Sequence, residues 1–556
     1  MFEKNLSYIS NSALRERLSK ITLDESKVGM AYCVTPSKDY VLLKNELPID
    51  DLNNPKEAVI KMLENNIKNP MKSNDIIITF GIGLGYILDE AFNKYPSKIF
   101  VYEPDIKLLH FVLNNVDFSE HLSSGRVYIT DDLDELITKL SKTYLTKDKV
   151  EVVYLQNYAI IKNKEILAFT QRVFDACKTK LIDVNTIAKF SKVWLENAIN
   201  NISYINNNKG YLLSSLEGKY VGQTALIAGA GPSLNDNIEE IKAKRNNYTI
   251  FAVNKAVKYL AEQGIVPDFV VFLDARNAMT TMGGMEGFLK TVNCITDIRS
   301  DKNAVKLGFN KIFYSFATSD SIMKKLAEYN PFLKLYETGG TSSLLALTAA
   351  VKLGFSKVIL AGIDLAFKND EMYANGEEIN KITQDEILAD SVKKHLVEVK
   401  SVTGGMVKTR EDYASFVEHF RVLINSLDFS EIYNISSFGA LIEGTKNAQL
   451  SEITAIPPLI KTNVDNIEPF SLEVKEFMQN EFYNINSVIS MLSKNSFSPE
   501  LVSAIVKSLF VYQYMQANIV AALQLPMNDE MAADFIAETK ASIKVIVELL
   551  QNNNFV

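Results

Sequence analysis

Ala225-Leu226-Ile227-Ala228-Gly229-Ala230-Gly231-Pro232-Ser233-Leu234 decides the fold class. The apolar run at its start suits a strand buried on both faces, and the glycine turn falls at the strand's carboxyl end. Two glycines let the backbone bend sharply and approach a ligand closely. Pro232 suits the first helical position, and Asn235, Asp236 and Glu239 place caps and acids in the opening turn. A helix amino terminus is therefore expected beside the turn, and such an end attracts anions, phosphate above all. Glycine turns between strand and helix are common in open α/β sheets, so the neighbouring stretches carry weight. Tyr248 to Val253 reads as a second strand ending at Asn254, and Phe269 to Leu273 as a third ending at Asp274, with an amphipathic helix between them. Ligands of open parallel sheets bind beyond the carboxyl ends of the strands, so Asn254 and Asp274 are expected to face the same crevice as the turn.

Outward from this stretch, 556 residues are too many for one core, and two or three domains are expected. Apolar content of 47% and charged content of 23% are ordinary for a soluble globular protein, and a net charge of -8 argues against a nucleic-acid surface. Met1 to Asn5 lacks the charged-then-apolar pattern of a secretory signal. Leu501 to Leu525 is interrupted by Lys507 and glutamines, which suits a buried helix and not a membrane span. Cys33, Cys177 and Cys294 are too scattered for a CxxC motif and fit a reducing compartment, so a cytoplasmic location is expected.

The first expected domain, 1–215, is Rossmann-like and ends in a helical, asparagine-rich linker. Asp75 to Phe80 is a strand candidate followed by Gly81-Ile82-Gly83-Leu84-Gly85, and Ile99 to Tyr102 leads to Glu103-Pro104-Asp105. This is the pattern of S-adenosylmethionine sites, whose acid binds ribose hydroxyls; the alternative is a nucleotide-binding fold kept as scaffold. Asp132-Leu133-Asp134 has the D-x-D shape of metal-dependent glycosyltransferases, but its acid-rich surroundings read better as the charged start of a helix.

The second expected domain, 216–455, adds strand candidates at Cys294 to Thr296 and Ile312 to Tyr314, then Glu337-Thr338-Gly339-Gly340-Thr341-Ser342-Ser343. That stretch opens a helix through Leu353, and Lys357 to Ala361 is a strand leading to Gly362-Ile363-Asp364. Its hydroxyls either cap the helix or, with the glycines, make a second anion pocket. Two such pockets suit a ligand with two anionic groups. From 456 to 556 amphipathic helices are expected over Leu472 to Leu492, Pro499 to Leu525 and Glu530 to Leu550, serving as an acceptor-recognising cap or as a stabilising bundle.

The order G-A-G-P-S-L, a strand ending in Asn254, T-S-S at a helix start and L-G-F-S-K-V-I-L-A-G-I-D resembles the motility accessory factor family of flagellin glycosyltransferases over roughly Gly218 to Gly444. The central domain of that family is similar to bacterial sialyltransferases. The resemblance implies transfer of a pseudaminic- or legionaminic-type nonulosonic acid from a CMP-activated donor to serine or threonine of flagellin, with no metal required. It places Gly229, Gly231, Pro232, Ser233, Asn254, Gly340, Thr341, Ser342 and Asp364 around the donor, and implies that Tyr373 assists the departing phosphate. Asp274 is an acid where the sialyltransferases carry an amide. Their catalytic histidine has no counterpart in Thr403 to Thr409, which leaves His395, or a carboxylate among Glu337, Asp274 and Asp364, as the base. The same central motifs resemble archaeal-type 6-hydroxymethylpterin diphosphokinases, and a non-catalytic flagellin-binding factor is a third reading.

Overall fold

The computed structural model describes residues 1–22, 29–146, 148–367, 396–427, 429, 431–453, 462, 464–494, 496–524 and 529–555. They form two compact units, Met1–Val184 and Asn185–Val556.

In the first unit, strands β1 (Ile76–Phe80), β2 (Lys98–Tyr102), β3 (Val127–Thr130) and β4 (Val150–Tyr154) make a parallel sheet in the order β3-β2-β1-β4. Every residue of β1 is buried, as expected of a central strand covered on both faces. Helix α1 (Tyr86–Lys94) follows the glycine turn. The side chain of Asp132 accepts the N–H of Glu135 at 3.0 Å and so caps the helix Leu133–Thr143, while Glu135 pairs with Arg17 at 2.7 Å.

Helix α2 (Asn163–Tyr204) contributes to both units: Ile166, Phe169 and Val173 belong to the first core, and Leu195, Ile199 and Ile202 to the second. The asparagines are the reason its second half stays with the second unit. Asn197 and Asn201 donate to the backbone carbonyls of Ala275, Ile298, Arg299 and Ser300 at 2.8 to 3.0 Å. The first unit thus ends at Val184, ahead of the boundary expected at 215.

The second unit is built on β5 (Thr224–Ala228), α3 (Ser233–Ala243), β6 (Thr249–Val253), β7 (Phe269–Phe272), β8 (Asn293–Asp297), β9 (Ile312–Ala317), α4 (Ser321–Tyr329), β10 (Leu335–Tyr336), α5 (Ser342–Leu353), β11 (Lys357–Ala361), β12 (Ile432–Asn434) and β13 (Lys446–Asn447). The strands run parallel in the order β10-β9-β8-β7-β6-β5-β11-β12-β13, with Tyr211–Leu212 added beside β9. The order reverses between β5 and β11, the switch point of a doubly wound sheet. Alternation along β5 divides the core: Ala225 and Ile227 join the cluster of Leu344, Leu347 and Phe420, and Leu226 and Ala228 join the cluster on the opposite face.

That second cluster also holds Phe477, Ile485, Ile505 and Ile546, from helices α6 (Lys475–Leu492), α7 (Pro499–Lys507) and α9 (Asp529–Asn552). The helices expected as a separate domain after 456 therefore share a core with the sheet. The single helix expected over Pro499 to Leu525 breaks at Ser508, whose hydroxyl accepts the N–H of Val511 at 3.3 Å and starts α8 (Leu509–Gln524). The fold is α/β throughout, with Rossmann-like parallel sheets and a helical carboxyl-terminal part. Among the described residues no helix is long and apolar enough to cross a membrane.

Candidate functional site

The two helix ends singled out in the sequence behave differently. At the end of α3, all of the first N–H groups are taken. Asp364, 2% exposed, accepts the Ser233 N–H at 2.8 Å and the Ser233 hydroxyl, while the N–H groups of Leu234 and Asn235 go to the carbonyls of Gly231 and Pro232 at 3.0 and 3.1 Å. The glycines allow this closure. A Cβ on Gly231 would lie 2.5 Å from Asp364 Oδ2 and 2.8 Å from the Gly362 carbonyl, and one on Gly229 would collide with that same carbonyl. Gly229 and Gly231 donate to the carbonyls of Ala361 and Gly362 at 2.8 Å. The close approach that the glycines permit is thus between the turns after β5 and β11, across the switch point.

Asp364 is held there from behind. Its carbonyl accepts the Ala440 N–H at 2.8 Å, and the Leu365 carbonyl accepts the Thr409 hydroxyl at 2.7 Å. Leu365 sits at φ 48°, a left-handed conformation that costs a non-glycine residue about 1 to 3 kcal/mol and persists only under such restraint.

The end of α5 is open. Thr341 is the N-cap, accepting the Leu344 N–H at 3.2 Å, and the N–H groups of Ser342 and Ser343 make no hydrogen bond among the described residues. Beside it lie the carboxyl ends of β6 and β7. The Asn254 amide, 3% exposed, donates to Asp274 Oδ2 at 2.8 Å, and the Ser342 hydroxyl reaches Asn254 Oδ1 at 3.5 Å while accepting the Leu273 N–H at 3.2 Å. Asp274 itself is exposed. An open helix amino terminus, an oriented amide and a solvent-facing carboxylate therefore meet at one place. Together they can hold an anionic group and accept a proton from a hydroxyl.

Asn254, Asp274, Thr341 and Ser342 were legible as strand-end and helix-start positions, and the structure brings Asn254, Asp274 and Ser342 into one hydrogen-bonded chain. Gly340, at φ 82° with open space where a Cβ would point, is exposed at the same helix start. Glu337 is exposed and accepts the Thr318 hydroxyl at 2.5 Å. Pro232 precedes α3 at φ -56°. Tyr373 and His395 lie outside the described residues. The clamp on Asp364 from Ala440 and on Leu365 from Thr409 has no signal in the sequence, because nothing in either stretch marks it as a neighbour of the β11 turn.

In the first unit, the Gly81 to Gly85 turn is filled by the chain's own side chains. A Cβ on Gly81 would strike the Tyr158 ring, one on Gly83 the Asp50 carboxylate and one on Gly85 the Phe118 ring. Glu103 is wholly buried and accepts the Tyr158 hydroxyl at 2.9 Å and the Ile82 N–H at 3.2 Å. Burial pushes Glu103 up to about 7 and Asp50 likewise to about 7. An acid enclosed in this way is not presented to a ribose, which favours the scaffold reading of this turn.

Three likenesses to known proteins bear on these features. A family model described as 6-hydroxymethylpterin diphosphokinase MptE-like matches residues 196–370. An uncharacterized protein of Treponema pallidum (strain Nichols) is 31% identical over 123 residues, which cover 22% of this chain and 57% of that protein, so the match spans little more than half of that relative. The structure of the MAf glycosyltransferase from Magnetospirillum magneticum AMB-1 is similar with a TM-score of 0.57 at 16% identity, over 100% of this chain and 96% of that chain. At that identity the likeness is one of fold.

Proposed function

We propose that the chain is a protein O-glycosyltransferase that moves a nonulosonic acid of the pseudaminic or legionaminic type from its CMP-activated donor to serine or threonine of flagellin, in the cytoplasm and without a metal. The observation that carries this reading is the open amino terminus of α5 beside the Asn254–Asp274 pair. The fold likeness to a MAf glycosyltransferase supports the reaction class.

In this reaction the acceptor hydroxyl oxygen forms a bond to the anomeric carbon, the bond from that carbon to the phosphate oxygen breaks, and CMP leaves with the electron pair. The sugar is oxocarbenium-like at the transition state, so fixed donors aimed at the anionic groups lower the barrier. The Ser342 hydroxyl and the N–H groups of Ser342 and Ser343 supply such donors, with Gly340 and Thr341 shaping the approach. Asp274, oriented by Asn254, takes the acceptor proton, and as an acid it is suited to that task where an amide would not be. Tyr373 is assigned to the departing phosphate, and His395 is the alternative base. Gly229, Gly231, Pro232, Ser233 and Asp364 contribute by fixing the wall of the crevice.

The family match to 6-hydroxymethylpterin diphosphokinases favours a second reading, a pterin kinase built on the same central sheet. Thermal-shift titration with CMP, GMP, AMP, ATP, 6-hydroxymethylpterin and S-adenosylmethionine separates the two, because a ligand that binds only the folded state raises apparent stability by mass action. Selective stabilisation by CMP is expected. Stabilisation by ATP and the pterin in place of CMP would establish the kinase, and a response to S-adenosylmethionine alone would move the active centre to the first unit.

A further inference from the structure

A cavity of about 340 Å³ lies where α4 meets α6 and the junction of α7 and α8, formed by elements other than those of the crevice described above. Its floor is apolar, from Phe477 and Leu509. Glu481, 4% exposed, accepts the Ser508 hydroxyl at 3.1 Å and the Phe510 N–H at 3.2 Å on Oε2, and so fixes the start of α8 as one wall.

The polar groups at its walls form a defined set. Asn480 spends its amide N–H on the Tyr329 hydroxyl oxygen at 2.9 Å, and Asn484 donates to the Lys507 carbonyl at 3.3 Å. Each keeps its amide carbonyl as an acceptor, and Tyr329, whose oxygen is already accepting, keeps its hydroxyl proton as a donor. Lys325 is paired with Glu328 at 2.5 Å, whereas the exposed Lys507 ammonium has no ion-pair partner among the described residues. Tyr483 stands 75% exposed at the rim.

We infer that this cavity is a binding site for a monosaccharide bearing a carboxylate. Acceptors from two amides and a donor from Tyr329 match the alternating donors and acceptors of ring hydroxyls, the Tyr483 ring offers its face to the C–H side of a sugar, and the Lys507 ammonium pairs with the carboxylate. A simple inorganic anion would use the lysine but leave the amides and the ring without a role. The site does not rest on the reaction proposed for the central crevice.

The test is saturation-transfer NMR with N-acetylneuraminic acid as probe and its methyl ester as the neutral counterpart, on the full chain and on three variants. Lys507→Ala and Tyr483→Ala alter exposed side chains, so urea unfolding should match the parent chain; Ser342→Ala weakens the central crevice. Expected are millimolar binding of the acidic probe by the parent chain and by Ser342→Ala, weaker binding of the neutral sugar, and a loss of about tenfold in either cavity variant, equivalent to about 1.4 kcal/mol. Binding that disappears in Ser342→Ala yet survives both cavity substitutions would overturn the assignment while supporting the central site. Absence of saturation transfer at millimolar probe in the parent chain would overturn it as well, and a failure of CMP binding alone would leave it standing.

Discussion

Replacing Asp364 with Asn and Ser342 with Ala should produce opposite signatures. Asp364 is buried and accepts both the N–H and the hydroxyl of Ser233 at the positive end of α3. Asparagine keeps the size but presents an NH2 where an acceptor is needed and removes the negative charge. The loss of a hydrogen bond to a charged group and of the charge–helix interaction together amount to about 2 to 4 kcal/mol. Urea unfolding of Asp364→Asn, followed by circular dichroism, should show that loss, with CMP affinity by calorimetry changed less than about twofold. Ser342 is half-buried and its hydroxyl accepts the Leu273 N–H at 3.2 Å and donates to Asn254 Oδ1 at a long 3.5 Å, so Ser342→Ala should cost about 1 kcal/mol of stability. Its CMP-donor affinity should fall by about 1 to 3 kcal/mol, roughly fivefold to 150-fold. The reverse pattern, with Asp364→Asn stable but unable to bind and Ser342→Ala binding normally, would show that the donor's anion is held at α3 and that the closure by Asp364 opens for it.

The first unit should lose stability as pH rises through neutrality. Asp50 and Glu103 have folded-state values pushed up to about 7 from 3.8 and 4.5 by burial, so between about pH 4 and 7 the unfolded chain releases protons that the folded chain retains. The urea midpoint of that unit should fall from pH 5 to 7.5 and level off above it, and Asp50→Asn should flatten part of the slope; a midpoint that rises over this range would contradict the assignment. Gly231→Ala should destabilise the second unit by about 1 to 3 kcal/mol through overpacking against Asp364, measured by the same unfolding assay. At Gly340 space is open but φ is 82°, so Gly340→Ala should cost about 1 to 2 kcal/mol from backbone strain alone. In a transfer assay a chelator should leave activity intact, and loss restored by magnesium or manganese would reveal a metal site.

The strands and the cluster at their ends were the most legible parts of this sequence. Buried parallel strands read as continuous apolar runs, and residues that terminate them in the same direction must share one edge of the sheet, so Asn254 and Asp274 fall together once β6 and β7 are recognised. Ser342 follows because α5 packs across the same strands. The helix break at Ser508 was hidden because Leu501 to Leu525 keeps its apolar character on both sides of the break, and the signal is a serine meeting Glu481 from a distant helix. The end of the first unit at Val184 was hidden for a related reason. Asn197 and Asn201 look like linker composition, yet they bind carbonyls some hundred positions away.

The two glycine-rich turns carry one lesson about what such a motif encodes. Glycine after a buried strand reports that something comes within a Cβ's distance of the backbone, and the sequence leaves the identity of that neighbour open. Here the neighbour is internal at both turns: Tyr158, Asp50 and Phe118 against Gly81, Gly83 and Gly85, and the Gly362 carbonyl with Asp364 against Gly229 and Gly231. A carboxylate at the α3 terminus also satisfies the N–H groups that a phosphate would otherwise neutralise, so a second anion there would meet like charge and no free donor. At α5 the cap is a neutral threonine, Gly340 leaves space open, and the Ser342 and Ser343 N–H groups remain available among the described residues. On the proposed function, the charge state of the cap, more than the number of glycines, decides which helix end can receive an anion. Thr341→Asp tests this directly: it keeps a capping oxygen for the Leu344 N–H, so stability should change by less than about 1 kcal/mol, while the added charge should weaken CMP-donor binding at least tenfold. Undiminished binding in that variant would place the anion elsewhere.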